Sequence, residues 1–256
     1  MAITNLVLHV ADVARSVDFY TGLLGATVTG ERTSQRAVLD LVTATIEVRL
    51  LAGGAPCPWQ EDDRFLGFRH LGFKVDAVDP LVARLRAAGV RFRIEPVDAV
   101  GEVRIAFFYD HDGTVLEIVE GHLMYHDVVD ADAVAAERAL PVPARPRFDH
   151  VGVTIRDLGA TVETYRPLGF RHSGTLHFGG DPRGFRIDYL KGGDTVIEAF
   201  TFDVEVWPAP PRTDTYGFVA AQMDGDSGVL AGADVGIVGG RRVLAASDDF
   251  PVMVGR

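Results

Sequence analysis

The feature that most constrains this chain is a strand that recurs. The segment FRHLGFKV at Phe68–Val75 returns as FDHVGVTI at Phe148–Ile155, with Phe, His and Gly at the same offsets and apolar residues alternating around them. Alternation of this kind predicts half-buried β-strands. Each copy is followed by an acidic residue and a predicted helix, Asp79–Ala88 and Asp157–Leu168, closed by Gly89 or Gly169. The plan is present a third time at the amino terminus. There ITNLVLHV leads to Asp12 and a helix whose apolar positions Val13, Val17, Tyr20 and Leu24 recur at helical spacing before Gly25. A weaker fourth copy starts at TYGFVAAQMD and places Phe218 where the others carry Asn5, His70 and His150. A repeat of about fifty residues cannot bury its own apolar face and has to pair with another copy.

The later strands of the modules carry a second signature. ATIE, TVLE and TVIE end on Glu47, Glu117 and Glu198, which lie 42, 47 and 48 positions after Asn5, His70 and His150. The last strand of the fourth module, DFPVMVGR, has no glutamate. Module boundaries fall near Gly53, Gly121 and Asp203, and two proline-rich connectors, AGGAPCPWQEDD and VEVWPAPPRTD, follow the first and third modules. Divided by its longest linker, the chain reads as residues 1–121 (modules one and two), a partly helical linker over 122–146, and residues 147–256 (modules three and four, the last degenerate).

Composition narrows the function. Twenty-five Lys and Arg against 36 Asp and Glu give a formal charge of −11, which a nucleic acid duplex or an anionic membrane surface would repel. The lone Cys57 allows neither an internal disulfide nor a cysteine-rich zinc site. No basic leader or long apolar run opens the sequence, so a cytoplasmic location is expected. Neither GxGxxG, GxxxxGK[ST] nor GxSxG occurs, which removes the usual nucleotide cradles and the serine-hydrolase elbow. A small-molecule substrate is the expected partner, and a homodimer is allowed.

The βαβββ repeats, the SVDFYTGLLG helix, the DHDGTVLEI turn and strand, and the strand-borne His and Glu positions together resemble the vicinal oxygen chelate superfamily. Glyoxalase I, bleomycin-resistance proteins and extradiol dioxygenases belong to it. The resemblance implies an α+β fold in which four βαβββ modules pair into two U-shaped mixed sheets. It also implies a divalent metal held by the first and last strands of paired modules. Carried over by position, the ligand candidates are Asn5 and Glu47, His70 and Glu117, His150 and Glu198, and Phe218 with no carboxylate. Pairing in chain order would split the intact ligands between two sites. Pairing module two with three and one with four would unite His70, Glu117, His150 and Glu198, and this is the expected arrangement.

Two imidazoles and two carboxylates balance a divalent charge and suit Zn, Ni, Co, Fe or Mn. The implied activity is that of a glyoxalase-type lyase or isomerase acting on an oxygen-chelating substrate through a metal-stabilised enolate, with Glu117 or Glu198 as base. Two alternatives stand beside it: an extradiol-type iron dioxygenase cleaving a catechol, and a metal-free drug- or metabolite-binding protein whose cleft Trp59 and Trp207 would line. By strand parity Lys74, Thr154 and Phe200, with Gly72, Gly152 and Val119, face the ligands and are expected to meet substrate. Glu47 is expected to pair with Arg36 or Arg49. His9 lies too far along its strand to replace Asn5, His111 and Asp112 belong to a turn, and His172 and His177 are expected in a loop.

Overall fold

A computed structural model describes residues 2–209, 214–225, 233–238, 240–245 and 248–254. Module one runs β1 (Ile3–Val10), α1 (Val13–Leu24), β2 (Thr27–Thr29), β3 (Arg36–Asp40) and β4 (Thr45–Leu50). Module two runs β5 (Gly67–Lys74), α2 (Val78–Ala87), β6 (Phe92–Asp98), β7 (Arg104–Tyr109) and β8 (Val115–Glu120). The linker contributes β9 (Asp127–Val128) and α3 (Ala131–Arg138). Module three follows with β10 (Arg147–Thr154), α4 (Leu158–Tyr165), β11 (Arg171–His177), β12 (Arg186–Gly192) and β13 (Thr195–Thr201). The fourth module shows β14 (Gly217–Met223), β15 (Ala233–Val238), β16 (Arg241–Ala245) and β17 (Pro251–Val254). Its helix would fall on a segment that includes 226–232, outside the described residues.

The helices start and stop where side-chain chemistry dictates. Asp12 and Asp157 cap α1 and α4 by accepting from the backbone N–H groups of Arg15 and Ala160. Gly25 ends the first helix in the left-handed conformation that a β-carbon would strain. The predicted helix 157–168 is shorter than expected, because its last residues, Arg166–Leu168, tighten into a 3₁₀ turn with Pro167 near its start.

The strands assemble into two mixed sheets. One has the order β15-β16-β17-β14-β1-β4-β3-β2, the other β6-β7-β8-β5-β10-β13-β12-β11-β9. Modules one and four therefore share a sheet, as do modules two and three. The halves 1–121 and 147–256 are not the units that close the sheets, since each sheet takes one module from either half. Helices α1, α2 and α4 pack with the apolar faces of both sheets into one continuous core. A stack of Phe68, Phe218 and Phe250 crosses that core from sheet to sheet.

At the centre of the second sheet β5 and β10 run antiparallel, with His70 opposite Gly152 and His150 opposite Gly72. Directly before each histidine the ladder carries an extra residue, Arg69 on one strand and Asp149 on the other. Such a bulge flips the alternation. Phe68 and Phe148 consequently join Leu71, Phe73, Val151 and Val153 in the core, while His70 and His150 turn to the opposite, concave face.

Candidate metal centre

Four side chains converge on the concave face of the sheet of modules two and three. His70, Glu117, His150 and Glu198 each offer a donor atom, and those atoms all lie within 4.8 Å of one another, each residue being buried. The two Nε2 atoms are 3.0 Å apart. Oε2 of Glu117 lies 3.0 Å from His70 Nε2 and 2.9 Å from His150 Nε2. Oε2 of Glu198 lies 3.1 Å and 3.6 Å from the same two atoms. An imidazole nitrogen has one proton at most, so hydrogen bonds cannot satisfy all of these approaches at once. Donors held at about 2.1 Å by one ion and at right angles to each other are about 3.0 Å apart, so the four residues fit a divalent cation.

The repeated strand explains why histidine is followed two residues later by glycine. Each imidazole lies across the backbone of the opposite strand's glycine: a β-carbon at Gly72 would sit 2.0 Å from His150 Cε1, and one at Gly152 would sit 2.2 Å from His70 Cε1. The glutamates come from the adjoining parallel strands, where Glu117 is level with Gly72 and Glu198 with Gly152. Two modules thus place equivalent residues about a local two-fold axis.

Charge is balanced inside the cluster. Burial opposes ionisation of Glu117, but hydrogen bonds from His150 and His70 hold its pKa down at about 2. Burial likewise works against an imidazolium, yet the carboxylates raise the pKa of His70 above the ordinary histidine value and that of His150 well above it. A cation entering this cluster would compete with protons for the histidines.

Beyond the four donors, two pairs of residues distinguish the modules. Asp149 Oδ2 lies 3.2 Å from His150 Nδ1 and orients that ring, and the contact holds the Asp149 carboxyl at about 2 against its burial. The position that precedes His70 is Arg69, which instead reaches the carbonyl of Gln60 and the carboxylate of Asp63. Tyr189 stands opposite Glu198, and burial together with that carboxylate pushes its phenol pKa up, whereas Phe107 stands opposite Glu117. None of these was singled out by the sequence analysis. Strand register brings Tyr189 to Glu198, and the only signal for Asp149 was its place beside a candidate ligand.

The cluster lies on one wall of a cavity of about 410 Å³. Val100, Leu176, Phe178, Ile187 and Phe200 make its apolar lining, and Lys74, Val119 and Phe107 also face it. The ammonium of Lys74 donates to the carbonyl of Gly121, and burial lowers its pKa. Thr154 is not among the lining residues: its hydroxyl donates to the carbonyl of Asp63, where the first connector crosses the sheet. The linker does more than join halves, since β9 pairs with β11 and Leu123 and Glu137 close one end of the cavity. Trp59 stacks on Arg69 and Trp207 on Arg64, so neither tryptophan lines the cavity. His172 and His177 belong to strand β11 and not to a loop.

Comparisons with known proteins agree with this fold. A model of the glyoxalase/bleomycin resistance protein/dioxygenase superfamily matches residues 2–118. YaeR of Escherichia coli (strain K12), an uncharacterized protein, is 31% identical over 121 residues, which are 45% of this chain and 93% of YaeR. This chain belongs to that superfamily. Glyoxalase I from Zea mays has the same fold, with a TM-score of 0.67 at 17% identity over 99% of this chain and 91% of its own. A candidate dioxygenase from Bacillus subtilis superposes with a TM-score of 0.63 at 14% identity, over 99% of this chain and 84% of its own.

The equivalent positions of the other sheet belong to modules one and four. Val7 is level with Glu47 on the parallel neighbour, as Gly152 is with Glu198, so Asn5 takes the histidine position. Across the central ladder Val7 faces Ala220 and Asn5 faces Gln222. Ala220, and not Phe218, is therefore the fourth module's counterpart of histidine, and Met253, level with Gln222, is its counterpart of glutamate. The sequence alignment slipped by two residues, which left Phe218 in the core stack. Extra residues again precede both positions, Thr4 and Val219, so the bulge persists where the histidines do not. Glu47 is bound by Arg36 and Arg49, whose Nε atoms lie 2.6 Å and 2.5 Å from the same Oε1. The remaining histidines stay apart: His9 lines neither cleft, and His111 sits in the turn that docks against Phe19 of α1.

Proposed function

We propose that this protein is a divalent-metal-dependent, glyoxalase-type lyase or isomerase whose ligands are His70, Glu117, His150 and Glu198. The observation that carries the reading is the convergence of two imidazole nitrogens and two carboxylate oxygens within 4.8 Å on the wall of a largely apolar cavity. Zn, Ni, Co, Fe and Mn all suit this donor set. Such a metal would supply Lewis acidity toward negative charge developing on a substrate oxygen.

The chain's own residues perform the rest. Phe200, Phe178, Leu176 and Ile187 exclude water from the reacting end of a small substrate. A carboxylate beside that substrate, Glu117 or Glu198, accepts the proton next to a carbonyl and can return it to the neighbouring carbon, which gives an isomerase or lyase outcome. Lys74, at the cavity edge, is placed to meet an anionic substituent.

The test starts from protein purified without chelator. Elemental analysis should find close to one intermediate metal per chain, and His150→Ala should lose it. The loaded protein is then assayed on thiol adducts of dicarbonyls and on catechols. Turnover of the adducts supports the proposal, and ring cleavage of a catechol replaces it with dioxygenase chemistry. Absence of metal after reconstitution leaves a binding protein.

A further inference from the structure

We propose that the cleft of modules one and four is an anion site that takes a compact phosphate-bearing dianion. A cavity of about 300 Å³ occupies the concave face of this sheet and is lined by Arg36, Glu47, Arg49 and Arg241 with Val7, Val238 and Met253. Three guanidinium groups face one carboxylate, so the lining carries a formal excess of two positive charges within a chain whose net charge is −11. At the corresponding place in the other sheet two glutamates face two histidines of raised pKa, and no such positive excess exists.

The arrangement of the arginines goes beyond neutralising Glu47. Arg36 and Arg49 both approach Oε1 of that carboxylate through Nε and not through their terminal Nη groups. The Arg241 guanidinium donates through one Nη to the side-chain oxygen of Gln222, a residue at the position glycine holds in the other sheet. Planar guanidinium forks match the oxygens of phosphate two at a time, and three of them around one concavity favour a dianion over a monocarboxylate. Val7, Val238 and Met253 supply an apolar wall against which a short carbon skeleton can lie. The volume admits a small metabolite and excludes a polymer.

Substitution across the central ladder made this room. With Asn5 and Ala220 where the other sheet has histidines, no imidazole crosses to the opposite strand, and the glycine positions accept Val7 and Gln222. This inference does not depend on the reaction proposed for the other cleft.

The experiment is equilibrium dialysis of the full chain against radiolabelled inorganic phosphate at low ionic strength, with calorimetry as the second readout. Three proteins are compared: wild type, Arg36→Gln with Arg241→Gln, and His150→Ala. Both arginines are at the surface, and unchanged thermal midpoints will show that the variant is folded. The expected result is about one phosphate per wild-type chain, binding at least tenfold weaker in the double arginine variant, and His150→Ala unaffected. Failure of wild type to bind phosphate at millimolar concentration overturns the proposal without reference to any variant. Phosphate lost in His150→Ala but kept in the arginine variant overturns it by placing the anion in the other cleft, and binding of malonate without phosphate overturns the phosphate assignment.

Discussion

The two sheets share a scaffold and differ in the chemistry at its centre. Each has an antiparallel central ladder, an extra residue before each donor position, and a parallel strand bringing a second donor position level with the glycine position. In one sheet the positions are His70, Glu117, His150 and Glu198, with glycines under the rings. In the other they are Asn5, Glu47, Ala220 and Met253, with Val7 and Gln222 in place of the glycines. Backbone geometry is evidently kept by core packing, because the bulges return Phe68, Phe148, Ile3 and Phe218 to the apolar interior whatever the donor residue is. The donors themselves are free to change, provided the residue facing them across the ladder changes too.

The largest effect that separates the sheets should come from the donors. His70→Ala is expected to weaken metal binding by a factor of 100 or more and to reduce turnover by about a thousandfold, whereas Glu47→Ala leaves metal content unchanged; elemental analysis of both variants decides it. Next comes the space beneath the rings. Gly72→Val drives a side chain into His150 and should lose metal together with about 2–4 kcal/mol of stability by denaturant unfolding, while Val7→Gly loses about 1–3 kcal/mol of packing and no metal. If Gly72→Val keeps its metal, the glycine rule proposed for these strands is wrong.

Acidity should separate the sheets as well. Because the folded-state pKa values of His70 and His150 are raised, protons compete for the cluster at and above pH 6.5, and metal affinity should keep rising with pH through that range. In chelator-treated protein the charged histidines stabilise the fold below their ordinary value, and that contribution is lost as pH climbs through the raised values. A competition titration against a chromophoric chelator from pH 6 to 9 measures the first effect. The smallest change concerns Glu47. Burial would raise its pKa, but Arg36 and Arg49 bring it below the ordinary value, so its stabilising contribution is present above about pH 4.5 and fades as pH falls. Glu47→Gln should flatten that acid limb by less than about 1 kcal/mol in chevron or equilibrium unfolding, in keeping with an ion pair near the surface.

Much of this was legible in the chain. The recurring His and Gly, and the glutamates 47 and 48 positions later, were visible because the same side chains meet the same geometric demand twice. The pairing of Glu47 with arginine followed from alternation along β3 and β4, which puts Arg36 opposite Arg49. Phe218 was misplaced because the fourth module has lost both donors, leaving nothing but apolar spacing to align, and its bulge at Val219 shifts that spacing. Tyr189 depends on a register between β12 and β13 that no local pattern encodes. Thr154 had the right parity, but Asp63 of a connector covers it, and tertiary crossing of that kind leaves no trace in strand alternation.

The crossed pairing of modules has a mechanical consequence. Because β5 of the first half ladders with β10 of the second, and β1 with β14, the two halves clasp each other at two separate seams. A protease nick in the exposed stretch around Val142 would cut the covalent thread without opening either seam, and the fragments should travel together until denatured. Neither fragment holds a complete cleft. Any binding that the nicked protein retains is thus a direct gauge of whether its halves are still interlocked.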